Sequence, residues 1–227
     1  MDLYLAKKQE SITGSERKYL MDNTYWDNYY STMNEWIEPS QFAKDILPIA
    51  DKGKVLIELG CGNGRDALFF AKNGLKVVAV DQSKIAISKL QSTYANENIE
   101  FIADDFVHSN VLGSDSFNYA YSRFTMHSIT EEEQDILLQK VYDSLKINGK
   151  LFIEVRSVKD DIYGLGEEVG RNAYYYNEHY RRFIVLEELT QKLQSIGFQI
   201  NKAVEANNFA IYKDENPIVI RVIAQKS

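Results

Sequence analysis

The chain has 227 residues, 44% of them hydrophobic and 26% charged, with a net charge of −7. That is room for one domain of ordinary soluble composition, and the acidic balance disfavours DNA and RNA, whose binders carry a basic excess. A single cysteine, Cys61, excludes a disulfide within the chain and agrees with a reducing, cytoplasmic setting; no apolar run is long enough to span a membrane, and the first residues lack a signal-peptide core.

Residues 1–22 read as a polar lead-in without chemistry. Thr24 to Ser31 holds Tyr25, Trp26, Tyr29 and Tyr30. It either docks on the core or forms a lid over a ligand, and both readings stay open. Residues 1–40 are therefore expected as an extension or lid, and 41–227 as the domain. Residues 39–48 should be a helix, with Ser40 as N-cap and a break at Pro48. Val55 to Leu59 is a short apolar run that reads as a buried parallel strand.

Gly60, Gly62 and Gly64 follow directly. Closely spaced glycines let a backbone approach a ligand and permit positive φ in a tight turn. Asp66 to Lys72 has helical spacing and stops at Asn73-Gly74. Val77 to Val80 is a second strand ending in Asp81, about 20 residues beyond the glycines, where a carboxylate can accept from both ribose hydroxyls. A βαβ unit whose glycines only make a turn would need neither three glycines nor that acid. The glycine spacing is one residue tighter than in a dinucleotide loop, and Glu58 stands two residues before it. A carboxylate there is a poor neighbour for pyrophosphate and suits a cofactor with a cationic end.

Glu58-Leu-Gly-Cys-Gly-Asn-Gly64 with Asp81 resembles the cofactor signature of the class I methyltransferases that use S-adenosylmethionine (SAM). Gly62-Asn-Gly-Arg-Asp-Ala-Leu-Phe-Phe-Ala71 and Val80-Asp-Gln-Ser83 are similar to small bacterial members that methylate polar metabolites or surface glycans. The resemblance implies a Rossmann-like α/β fold: a seven-stranded, mostly parallel sheet with an antiparallel last strand and helices on both faces. It puts Glu58, Gly60, Cys61, Gly62, Asn63, Asp81 and Gln82 around SAM. It also puts a tyrosine hydroxyl of the Trp26-x-x-x-Tyr30 stretch, Tyr30, at the methionyl end.

After a helix capped by Ser83, Ile99 to Ala103 is an alternating strand running into Asp104-Asp105-Phe106. The resembled family has an acid here that accepts from the adenine amino group. Asp104 fits, Asp105 is one register away, and Phe106 can pack on the adenine face. Ser116 to Tyr121 is the fourth strand, beside the first at the crevice where strand order reverses. Ser122 and the residues after it then face the reaction centre. His127 lies at its mouth, either as a base for a substrate hydroxyl or satisfied by the next helix, Glu131 to Leu145, which opens with a Thr130/Glu133 capping box. No spacing of histidine, cysteine and acids resembles a metal site.

Lys150 to Val155 reads as strand five. The segment at about 156–183 is too long for a simple connection and reads as a substrate lid. Its Arg156, Arg171, Arg181 and Arg182 suit a phosphate or carboxylate, and tyrosines such as Tyr176 can stack on a sugar or base. Nearby acids compete for some of these arginines. Helix Leu186 to Ile196, strand Phe198 to Val204, a turn at Asp214 to Pro217 and strand Ile218 to Ala224 complete the chain. The expected reaction is methylation of a sugar hydroxyl or phosphoryl oxygen in a surface-glycan precursor, such as a nucleotide-sugar, as in capsule biosynthesis. A small metabolite or a toxic sulfur, selenium or tellurium species is an alternative acceptor, and a non-catalytic SAM-binding subunit a further one. The oligomeric state is left open.

Overall fold

A computed structural model describes residues 25–28, 31, 38–94, 98–113, 115–177 and 179–227. The strands β1 (Val55–Leu59), β2 (Lys76–Asp81), β3 (Ile99–Ala103), β4 (Phe117–Arg123), β5 (Leu145–Arg156), β9 (Phe198–Ala206) and β10 (Val219–Lys226) form one sheet in the order β3-β2-β1-β4-β5-β10-β9. β10 pairs antiparallel with both β5 and β9, while β1 to β5 run parallel. The strand latest in sequence is therefore interior, between β5 and β9.

Alternation along β1 shows how the sheet is covered. Leu56 joins one apolar cluster with Phe42, Ile46, Leu68 and Ile87, from α1 (Gln41–Ile46), α2 (Arg65–Lys72) and α3 (Lys84–Thr93). Ile57 and Leu59 join the other with Leu137, Val141, Leu189 and Leu193, from α4 (Glu131–Ser144) and α5 (Leu186–Ile196). A period of two on a strand puts these neighbours on opposite faces, so helices cover both. The expected caps form. Ser40 accepts from Ala43 N at 3.0 Å, and Thr130 and Glu133 make the reciprocal box.

Two segments differ from the sequence-based expectation. Helix α4 stops at Ser144 and β5 starts at once at Leu145, five residues before the expected Lys150. Leu145 is fully buried opposite Phe117, and Asn148 (φ +63°) with Gly149 makes an irregularity inside the strand instead of a terminus. The expected lid contains a separate antiparallel sheet of β6 (Glu167–Gly170), β7 (Ala173–Tyr176) and β8 (His179–Arg182). Tyr174 and Tyr175 are thus strand residues paired with neighbours. Among the described residues no helix is long and apolar enough to cross a membrane.

Candidate active site

The switch between β1 and β4 leaves a cleft of about 1130 Å³ at the carboxyl ends of the strands. One ligand pocket commonly measures roughly 300–1,000 Å³, so this one has room for two reactants. The glycine loop forms its floor. Gly60 and Cys61 donate their backbone N–H to Val80 O at 2.8 and 3.0 Å. Gly60 has φ +73°, and a Cβ there would come within 2.9 Å of Thr125 Cγ2. Thr125 is itself tied to the loop, its Oγ1 donating to Leu59 O at 2.6 Å.

Asp81 Oδ2 accepts from Gly62 N at 2.8 Å, and its Oδ1 from Ser83 N at 2.9 Å. Each oxygen keeps a lone pair for a ribose hydroxyl. Burial raises its pKa, and the two backbone bonds oppose the rise. Glu58 is buried, and its Oε2 has no hydrogen-bond partner. An orphaned carboxylate beside bare glycine backbone fits the cationic end of SAM. Burial above all, then the nearby charges of Asp66 and Asp81, hold its carboxyl well above the usual 4.5. A bound cation favours the ionised form. SAM binding should therefore release protons, and affinity should rise with pH through the range above 4.5 where free Glu58 titrates. Calorimetry in buffers of different ionisation heat measures this, and Glu58→Gln should shrink both the proton release and the slope. An unchanged slope in that variant would remove Glu58 from the donor site.

Gly60, Cys61, Gly62, Asn63, Gln82 and Phe106 also line the cleft. Burial pushes the Cys61 thiol well up, so it stays protonated and is no nucleophile. Other expected residues lie elsewhere. Tyr30 is outside the described residues. Asp104 accepts from Ser109 Oγ at 2.7 Å, while Asp105 accepts from Val107 N and pairs with His108, so both acids shape their own turn. Ser122 is buried in β4 with an unpartnered Oγ and does not line the cleft.

His127 sits in a 3-10 turn (Met126–Ser128), buried and lining the cleft. Burial first, then His179, Arg156, Arg181 and Arg123, hold its pKa well below 6.5. It is neutral at neutral pH, and a weak base. Arg156 also lines the cleft but has both terminal nitrogens engaged, by Asp160 at 3.1 Å and Glu215 at 2.6 Å. Arg181 reaches the cleft and donates to Tyr176 O at 3.2 Å. The Tyr176 ring does not line it. Arg182 is spent on structure: it donates to Ile129 O and Gln134 Oε1, outside the cleft.

The sequence reading missed Arg123, His179 and the wall formed by the loop between β9 and β10. Arg123 ends β4, so its position after the fourth strand was the available signal. Its Nε donates to the buried Glu154 at 2.8 Å. Phe124 follows with φ +54°, its ring 4.5 Å below the Arg123 guanidinium. Such a conformation costs about 1–3 kcal/mol in a non-glycine residue and is met most often at functional sites. His179, on β8, is covered by Tyr25, stacked at 4.6 Å, and by the edge of Trp26. Asp27 of the same helical turn accepts from Ser83 Oγ at 2.6 Å, beside Asp81. The residues 25–28 thus touch both ends of the cleft. Among the described residues no three metal-ligating side chains come together.

A sequence profile described as a methyltransferase domain matches residues 15–203. The chain is 26% identical over 191 residues to a carboxy-S-adenosyl-L-methionine synthase of Nautilia profundicola, covering 74% of this chain and 80% of that protein. It is 30% identical over 104 residues to a cypemycin N-terminal methyltransferase of a Streptomyces species. That match spans 45% of this chain and only 42% of the relative's own length. In fold it is similar to the Burkholderia thailandensis 1,6-didemethyltoxoflavin-N1-methyltransferase, solved with its acceptor and S-adenosylhomocysteine bound. That likeness has a TM-score of 0.71 at 16% identity and covers 95% of this chain and 92% of the other.

Proposed function

The chain belongs to the methyltransferase-domain family, and from that premise, with SAM as its donor, we propose that it methylates a small anionic acceptor. The observation that carries this is the charge layout of the cleft. An unpartnered buried carboxylate, Glu58, stands at the glycine loop, and three guanidiniums, Arg123, Arg156 and Arg181, surround His127. When bound, SAM supplies a methyl group on a cationic sulfur that an oxygen can displace in line. Glu58 complements that charge, and Asp81 reads the ribose. Arg181, which makes no ion pair with a carboxylate among the described residues, holds the acceptor's anion, and positioning alone can supply several kcal/mol of the barrier reduction.

An anionic oxygen already carries its electron pair and needs no base. That suits His127 as it stands, neutral and poorly basic, in an orienting role. His127→Ala should lower kcat/KM for the acceptor about tenfold, by loss of positioning, with SAM affinity and the shape of the pH–rate profile unchanged. Loss of an acid-side limb from that profile would restore the base role. Within the anionic class we favour a phosphorylated or nucleotide-linked sugar of surface-glycan assembly, in the cytoplasm. Its phosphate suits a guanidinium and a neutral imidazole N–H together, and a phosphoryl oxygen is a nucleophile that needs no base.

The two relatives frame the alternatives. A peptide N-terminus brings an ammonium, which three guanidiniums would repel. A carboxylated SAM is favoured by one observation, that Arg123 lies close enough to Glu58 to lower its pKa; an added carboxylate could be held there. The test is incubation with SAM and a panel of nucleotide-sugars, sugar phosphates, thiols and selenium or tellurium oxyanions, followed by mass spectrometry. A methyl on a sugar phosphate supports the reading. Methylated thiols or oxyanions alone favour the small-metabolite alternative. SAM binding without any transfer favours a non-catalytic subunit.

A further inference from the structure

Two histidines of the cleft each keep a ring nitrogen, Nδ1, without a hydrogen-bond partner among the described residues. His127 is 6% and His179 1% exposed, both line the cleft, and Nδ1 of each is buried without a partner. Their ring centroids are 6.0 Å apart, at 81°. Buried polar atoms in native proteins are nearly always hydrogen-bonded, so two such nitrogens on neighbouring rings that line one cavity point to a missing polar partner there. Arg181 follows His179 by two residues in β8, which puts both side chains on one face of the strand. Arg181 makes no ion pair with a carboxylate among the described residues, unlike Arg156 beside it. Tyr25 and Trp26 close the side behind His179.

We propose that His127, His179 and Arg181 form a single oxyanion subsite that holds the carboxylate or phosphate group of the acceptor. Each neutral imidazole donates one N–H, and Arg181 supplies charge and further donors. Neutral rings suit this role, because the positive charge is supplied by Arg181 from β8, while Arg123 from β4 and Arg156 from β5 are paired with Glu154 and with Asp160. Glu215, in the loop before β10, is bonded to Arg156. The pair of histidines is thus a reader of the acceptor, and His179 is a binding residue of equal standing with His127. The inference rests on the cleft being a methyl-transfer site for an anionic acceptor.

The chain has three histidines, so imidazole signals are readily resolved by NMR, with the surface residue His108 as internal control. The full chain, labelled with nitrogen-15 histidine and saturated with S-adenosylhomocysteine, is titrated with inorganic phosphate and, separately, with acetate. Saturable shifts of the His127 and His179 rings, with His108 still, are expected for at least one anion. Phosphate alone points to a phosphoryl group, and acetate alone to a carboxylate. The bound anion should also raise the pKa of His179 from about 3, by about one unit or more. Arg181→Gln should weaken the anion about tenfold and leave S-adenosylhomocysteine affinity unchanged, and His179→Asn should do the same. If S-adenosylhomocysteine binds normally and neither anion moves the rings, or if Arg181→Gln leaves the shifts intact, the subsite is wrong. If S-adenosylhomocysteine itself fails to bind, the donor reading falls and the subsite falls with it.

Discussion

Asp81→Ala should lower SAM affinity about a hundredfold or more, measured by calorimetry. The carboxylate holds the loop through Gly62 N and the start of α3 through Ser83 N. Its remaining lone pairs face the cleft, where two ribose hydroxyls can donate. Hydrogen bonds to a charged acceptor contribute about 1.5–3 kcal/mol each, and two of them give the stated loss. Burial raises the Asp81 pKa, so its charge is held against the preference of the fold. Loss of its two backbone bonds should lower Tm as well, so affinity is measured on the folded protein. Asp81→Asn, which keeps the shape, should lie between. An affinity within twofold of the wild type would remove Asp81 from the donor site.

Glu154→Ala should strongly destabilise the sheet, by breaking a buried ion pair. Glu154 is 1% exposed, and its two oxygens accept from Arg123 Nε at 2.8 Å and Arg221 Nε at 2.6 Å. Arg221 continues the chain to Asp45 in α1 and to Phe209 O, its guanidinium 4.4 Å from the Phe209 ring and 4.9 Å from that of Phe42. Removing one partner of a buried ion pair costs about 3–5 kcal/mol, because the other charge is left uncompensated. For a domain of this size that is a Tm drop of roughly 10 °C or more. Arg123 would also lose its orientation in the cleft, so acceptor KM should rise in whatever fraction remains folded. A Tm within a few degrees of wild type would show that water or Asp45 compensates.

The legible parts of the sequence were those written locally. Val55 to Asp81 is a contiguous unit whose apolar runs, glycines and terminal acid each state their own geometry, and the structure places them accordingly. Ser40, Ser83 and Thr130 were legible as caps for the same reason, since a cap depends on residues three positions away. What stayed hidden depends on partners far along the chain. Arg182 and Arg181 look equivalent in sequence. Only the packing of β8 against the start of α4 gives Arg182 the Gln134 side chain and leaves Arg181 facing the cleft. The strands of the small sheet were missed because β6 is exposed along its whole length, so no apolar alternation announces it.

The placement of β10 between β5 and β9 bears on how the molecule is made. During synthesis β5, nearly all of whose residues from Leu151 to Val155 are apolar and buried, emerges long before its neighbour at Val219. Until that partner leaves the ribosome, an apolar strand edge stands open to other nascent chains. That edge is closed only once Val219 to Lys226 has been made and inserted between β5 and β9.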